Sequence, residues 1–330
     1  MAPRWHWDFD EVRLPRRPRL AGRPREPASA DEPTTGGAPP AGSLARFRRR
    51  RAALLLALLA LVALVVAAVS SSGHGRSTQA SGAPAQTARP GVARERPAST
   101  PEDDQNGAVA SVLAYTPFVK AGGSRGREIA LTFDDGPGPY TPEVLSVLER
   151  SHVHATFFAI GKMERYFSAS TVREIKDGDV IGDHTETHPE MALLSRQDQR
   201  EELFEQIARI ELLGGKRPVL FRPPYGSFNA TTIRELKDLH LLMILWSVDT
   251  GDYLQPGVPV IVARALAGAK PGAIILMHDA GGVRTQTVAA LPAIIRGLRA
   301  RGYRLVTVPQ LLKDDPPPVG QPLPSSLSGD

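Results

Sequence analysis

The 330-residue chain contains no cysteine. Disulfides, thiolate metal sites and cysteine nucleophiles are thereby excluded, and any metal must be held by His, Asp or Glu. Self-similarity at a period of roughly 20–50 residues is also lacking, so the chain is not a repeat array. A basic excess is missing where a globular part could use it. Twelve of the 40 basic and six of the 35 acidic residues fall in the first 51 positions, which leaves 28 basic against 29 acidic groups. The high isoelectric point therefore belongs to the N-terminal tail, and a nucleic-acid partner is not supported. What remains is ordinary: 42% hydrophobic residues, enough for one α/β barrel with attachments or for two domains.

Residues 52–69 contain only Ala, Leu and Val. As a helix this run spans about 27 Å, close to the thickness of a bilayer core. Arg46, Arg48, Arg49, Arg50 and Arg51 stand directly before it, and no basic cluster follows immediately. The positive-inside bias then puts residues 1–51 in the cytoplasm and the rest outside, anchored in the lipid bilayer of the cell membrane. A cleaved signal peptide is the alternative, but the apolar run is long for one and lacks a small-x-small cleavage site. Residues 1–51 read as an Arg-rich disordered tail, 70–109 as a flexible extracytoplasmic linker and 314–330 as a loose Pro- and Ser-rich end.

Between about 110 and 313 short apolar runs alternate with amphipathic stretches. Strands are expected at 129–133, 155–160, 180–181, 219–221, 242–246, 273–277 and 304–308, and helices at 141–151, 170–177, 196–213, 229–240, 259–269 and 286–301. Ser195 followed by Asp198 marks a capped start, and Gly214–Gly215 a stop. About seven strand–helix units argue for an α/β fold with a parallel sheet, either barrel-like or open and doubly wound.

Ionisable residues follow these strands: Asp134 and Asp135, then His184 and His188, Arg222, Asp249 and His278. An Asp after a strand is often only a helix cap, and a lone His is often a satisfied surface group. Five strand ends so equipped, in a chain with eight histidines, are better read as one site at the C-terminal face of a barrel. His184 and His188, four apart, can aim two imidazoles at a metal from a helical turn or a tight loop. With a carboxylate they make a three-ligand hydrolytic zinc-type set. Of Asp134 and Asp135, one can bind metal and the other take a proton from water, because neighbours on an extended chain diverge. Arg222 would keep the free Asp ionised and fix its rotamer. His278 can serve as general acid, with Asp249 holding its tautomer and raising its pKa.

T-F-D-D-G at 132–136, H-T-E-T-H at 184–188, R-P-P-Y at 222–225, D-T-G-D-Y at 249–253 and L-M-H at 276–278 stand in the order of the five motifs of the polysaccharide deacetylases. Over residues 110–313 the chain resembles that family, the NodB-homology group or carbohydrate esterase family four. The resemblance implies a distorted, incomplete (β/α) barrel and hydrolysis of N-acetyl groups on sugars. It implies Asp134 as base, Asp135, His184 and His188 as ligands of one divalent metal, Arg222 orienting Asp134, and Asp249 supporting His278 as acid. It also implies an oxyanion site at the backbone N–H of Tyr225 and an acetyl-methyl pocket at Leu276. Tyr253 stands where many members carry Trp and shapes the groove wall. Zn²⁺ is favoured by ligand type over Mn²⁺ or Co²⁺. Peptidoglycan is the expected substrate, ahead of chitin oligomers and acetylated xylan, and the sequence points to no protein partner. Two readings of other kinds are an inactive cell-wall glycan-binding module and a phosphoesterase. The intact ligand, base and acid set speaks against the first, and its small number of ligands against the second.

Overall fold

In the computed structural model residues 101–321 are described. The expectations for the Arg-rich tail, the apolar run 52–69, linker residues 70–100 and the last nine residues lie outside them.

The fold is built around β2 (Glu128–Asp134), whose residues alternate between two apolar environments. Ile129, Leu131 and Phe133 pack outward against Val144, Leu145 and Leu148 of α2 (Thr141–Ser151) and Leu291, Ile294 and Leu298 of α7 (Thr285–Ala300). Ala130 turns inward with Phe158, Leu220, Leu242, Ile244 and Ile274, and Thr132 and Asp134 follow on that face by the two-residue period of a strand. Both faces are covered, which is why these strands read as nearly continuous apolar runs.

The other elements are α1 (Pro101–Leu113), β1 (Phe118–Val119), β3 (Thr156–Ala159), α3 (Gly161–Asp177), β4 (Val180–Asp183), α4 (Arg196–Leu212), β5 (Leu220–Phe221), α5 (Ala230–Asp238), β6 (Leu242–Ile244), β7 (Val248–Asp249), α6 (Val258–Ala267), β8 (Ile274–His278), β9 (Arg304–Val306) and α8 (Val308–Asp314). Every strand pairing is parallel, in the order β1-β6-β5-β4-β3-β2-β8-β7, with β9 joined to β2. β6 and β7 lie near opposite ends of this path, yet only residues 245–247 separate them. Within that stretch the Leu245 N–H donates to Val119 O (2.7 Å) and the Ser247 N–H to Ile274 O (3.1 Å). The chain thus changes neighbours from one end of the sheet to the other, which forces the sheet to curl. The result is a curled, incomplete α/β barrel of parallel strands.

Local signals account for most boundaries. Ser195 caps α4 by accepting from the Asp198 N–H (3.3 Å), and Asn229 caps α5. Gly214, with φ +91°, follows α4 in a conformation that suits glycine. Several expectations need correction. α3 begins at Gly161, not residue 170, and it buries Glu164 where an apolar stripe would show in the sequence. The run 242–246 ends early, at Ile244 of β6, and a strand that was not expected, β7, follows at Val248–Asp249. The run 304–308 ends early, because Thr307 caps α8 by accepting from the Gln310 N–H. Residues 101–109, assigned to the linker, belong to α1, whose Val109 and Val112 are buried beside Leu311 and Leu312 of α8. The chain after residue 315 is docked as far as Gln321: Tyr115 OH donates to Pro317 O (2.8 Å) and Gln321 Nε2 to Ala121 O (2.9 Å).

Truncation of a buried valine in α1 tests whether that helix belongs to the domain. Val112→Ala is expected to lower unfolding stability by roughly 1–3 kcal/mol, the scale of a buried aliphatic side chain, measured by urea titration. A loss below a few tenths would return α1 to the linker.

Candidate metal and catalytic site

The inward face that carries Ala130, Leu220, Leu242 and Ile274 continues, two residues at a time, to Asp134 on β2, Arg222 after β5, and Leu276 and His278 on β8. Asp134 and His278 are register partners across β2 and β8. Strand geometry alone therefore gathers Asp134, Arg222 and His278 at the C-terminal end of the sheet.

Asp135 is the next residue and would point away if the strand continued. Its φ of +73° ends the extended conformation, and its Oδ1 lies 3.1 Å from His188 Nε2 and 3.7 Å from His184 Nε2. The two histidines are carried by a tight loop, not a helical turn. Asp183 Oδ1 accepts from the Thr185 N–H (2.7 Å), Thr185 Oγ1 accepts from the His188 N–H (2.9 Å), and Thr185 and His188 both have positive φ. His184 Nδ1 lies 2.7 Å from the Arg222 carbonyl. Since a carbonyl only accepts, Nδ1 carries the proton and Nε2 presents its lone pair.

Asp135, His184 and His188 are buried, and their nearest donor atoms all lie within 4.8 Å of one another. Donors around a tetrahedral zinc-type ion stand about 3.3 Å apart, given bonds of roughly 2.0–2.1 Å. The two separations from Asp135 Oδ1, 3.1 and 3.7 Å, bracket that spacing, and with all three donors within 4.8 Å of one another the set can close on a divalent ion. Burial alone would raise the Asp135 carboxyl, but the neighbouring imidazoles, His188 foremost, hold it well below the usual carboxylate range.

Arg222 is fully buried. Its Nη1 donates to Asp134 Oδ1 (2.6 Å) and Thr132 Oγ1 (2.8 Å), Nε to Ile244 O (3.0 Å) and Nη2 to Leu245 O (3.2 Å). The guanidinium also lies over the Phe158 ring at 4.1 Å. Desolvation pulls its pKa down and the Asp134 charge opposes that shift. Asp134 Oδ2 is 3.8 Å from His184 Nε2, on the side of the metal donors. Thr132, which also donates to Ile275 O, is a supporting residue that sequence reasoning missed.

The carboxylate expected on His278 was Asp249; the structure places Asp252 there. Asp252 Oδ1 is 2.8 Å from His278 Nδ1, and its Oδ2 accepts from the His278 N–H (2.9 Å) and Thr287 Oγ1 (2.7 Å). Asp249 is in register with Leu276, two residues short of His278, or roughly 6.6 Å along the strand. The chain must pass through the left-handed Gly251 (φ +61°) before an aspartate reaches the level of His278. The second Asp of D-T-G-D was visible, but only the turn selects it. Burial would lower the imidazole pKa, yet Asp252, then Asp135 and Asp134, push it up to about 9. Asp252, despite burial, is lowered by His278 and by its hydrogen bonds.

Asp249 holds other groups. Its Oδ1 accepts from the Gly251 N–H (2.7 Å) and its Oδ2 from Tyr253 OH (3.3 Å). The Tyr253 ring meets His278 edge to face at 5.3 Å. Tyr225, with φ +57°, sets its ring edge-on to His188 at 4.6 Å and remains partly exposed. Leu276 is buried on β8 between Thr132 and Asp249 in register.

The sequence model of the polysaccharide deacetylases matches residues 121–244, which include the metal donors, Asp134, Arg222 and Tyr225 but stop short of Asp252 and His278. The chain is 40% identical over 196 residues to a peptidoglycan-N-acetylglucosamine deacetylase of Bacillus cereus, covering 56% of this chain and 88% of the relative. It is 35% identical over 210 residues to a chitooligosaccharide deacetylase of Sinorhizobium fredii, covering 60% and 98%. Among solved structures, a peptidoglycan N-acetylglucosamine deacetylase superposes with a TM-score of 0.59 at 33% identity, over 61% of this chain and 95% of that one.

The two aspartates near His278 are separated by pH dependence. Asp252→Asn removes the charge that keeps the imidazole protonated up to about 9, so the basic limb of activity should fall by more than about one pH unit. Asp249→Asn should leave that limb in place. A limb that follows Asp249 instead would contradict the pairing seen in the structure.

Proposed function

Because the chain belongs to the polysaccharide deacetylase family, whose members are hydrolases acting on carbon–nitrogen bonds, we propose that it removes acetyl groups from N-acetylated amino sugars of peptidoglycan. The observation that carries this reading is the pairing of Arg222-held Asp134 with Asp252-held His278, register partners beside a three-donor cation set.

Asp135, His184 and His188 would hold the metal, with Zn²⁺ favoured for a His–His–Asp set over Mn²⁺ or Co²⁺. When bound, the ion supplies Lewis-acid polarisation and a more acidic water. Asp134 takes a proton from the attacking water through Oδ2, while Arg222 fixes the carboxylate through Oδ1. As water oxygen bonds to the acetyl carbon, the carbonyl π pair moves onto its oxygen; when that pair returns, the C–N bond breaks and His278 Nε2 gives a proton to the departing nitrogen. Acetate and a free amine result, and solvent exchange returns Asp134 and His278 to their starting states. His278, protonated up to about 9, is charged at neutral pH and can act as that acid. The Tyr225 backbone N–H is assigned to the oxyanion, Leu276 to the acetyl methyl and Tyr253 to the groove wall.

The Bacillus relative supports peptidoglycan as the substrate, while the chitooligosaccharide deacetylase, covered almost end to end, favours short chitin oligomers as the second reading. Acetate release from each, with and without chelator, tests both. Activity on neither sinks the function, and activity indifferent to chelator sinks the metal. His184→Ala should lose metal content and turnover together. Asp134→Asn should keep metal and lose turnover by about a hundredfold or more; near-wild-type rates would move the base elsewhere.

For location the proposal rests on the apolar run 52–69 and the arginines before it. They support a single-pass anchor with the catalytic domain outside the cytoplasmic membrane, beside its wall substrate. Protease added to intact cells should cleave within residues 80–100 and spare residues 1–45; the reverse pattern would overturn this topology.

A further inference from the structure

Asp249 was displaced from His278 by Asp252, yet it is not idle. Its segment is tied down along its whole length. Thr250 Oγ1 donates to Leu276 O (2.9 Å), Arg264 Nη1 donates to Thr250 O (3.2 Å), and the Gly251 N–H donates to Asp249 Oδ1 (2.7 Å). A side chain at Gly251 would meet Arg264 Nη1 at 2.1 Å, so the guanidinium lies directly against the turn. The free end of this braced loop is the Tyr253 ring, which meets the His278 imidazole in a T-shaped contact and is tethered through its hydroxyl to Asp249 Oδ2.

We propose that Asp249 and Tyr253 form a clamp that sets the plane of the His278 ring, making both of them positioning residues for the proton-transfer step. The inference rests on the assignment of His278 as general acid. Asp252 bonds Nδ1 and fixes the tautomer, but one hydrogen bond leaves the ring free to tilt about its axis. An edge-to-face aromatic contact resists that tilt, because the ring quadrupoles favour one relative orientation. The Tyr253 hydroxyl stays protonated through neutral and mildly alkaline pH. Its pKa is pushed up to about 12, first by burial and then by Asp249. The clamp therefore does not titrate where the acid does. The groups facing the imidazole are Asp252, Asp135, Asp134 and Tyr253, and the clamp changes none of the three charges.

Tyr253→Phe keeps the ring and removes the tether. It should lower kcat roughly fivefold, as expected for loss of a long hydrogen bond worth about 1 kcal/mol, with KM held and the basic limb unmoved. In the Tyr253→Phe background, Asp249→Ala should cost less than in the wild type by that same factor. A rise in KM at constant kcat would make Tyr253 a sugar contact and overturn the clamp, as would fully multiplicative losses. A second measurement needs no turnover. The His278 Cε1–H NMR signal should shift in Tyr253→Phe and in Asp249→Ala, and no further in the double variant; an unmoved signal refutes the clamp even if acetate release fails. Asp252→Asn, which moves the basic limb, separates failure of the clamp from failure of the acid assignment.

Discussion

A guanidinium with no access to water must satisfy its donors within the protein, and Arg222 does so by joining four strands of the barrel. It bonds Asp134 and Thr132 of β2, the carbonyls of Ile244 and Leu245 at the end of β6, and covers Phe158 of β3, while its own carbonyl receives His184. A buried cation is costly unless paired, and removing one partner of such a pair typically costs about 3–5 kcal/mol. The same contacts that make the charge tolerable aim the Asp134 carboxylate and fix the His184 tautomer. Stability of the barrel interior and geometry of the Asp134 carboxylate are one constraint.

The acid side solves its problem with different means. His278 sits at the edge of the sheet end, where a backbone turn, not a strand, must deliver its carboxylate. The short 3-10 turn Asp252–Leu254, entered through Gly251, presents one aspartate to the imidazole, and the Tyr253 that follows lies against the ring. Thr287 of α7 ties that aspartate to the helix after β8. Asp134 and His278 are thus supported from opposite sides of β2 in the strand order: Arg222 by way of β5 and β6, Asp252 by way of β7 and β8.

The metal donors depend on backbone conformations that few residues adopt. Asp135, Thr185 and His188 all have positive φ, which costs each of them free energy that the surrounding hydrogen bonds must offset. At Gly136 a Cβ would lie 2.4 Å from Asp279 Oδ2, so the loop after Asp135 is pressed onto the residue that follows His278. The Asp135 loop and the end of β8 are in contact through that pair.

Much of this was legible in the sequence because it depends on short-range rules. The short continuous apolar runs of β2, β5 and β8, the Ser195 cap and the order of the five motifs determined the α/β class and the gathering of Asp134, Asp135, His184, His188, Arg222 and His278. A strand period of two puts residues two apart on one face, and that needs no tertiary information. Longer-range choices were not legible. The buried Glu164 hid the start of α3, and α1 and residues 316–321 carry too few apolar residues to announce their docking. Between Asp249 and Asp252 the sequence offered two carboxylates of the same chemistry, three residues apart. Only the register of β7 on β8 and the left-handed turn at Gly251 decided which of them reaches His278, because a hydrogen bond of 2.8 Å is specified by where the strands end in space and not by the identity of the residues that make it.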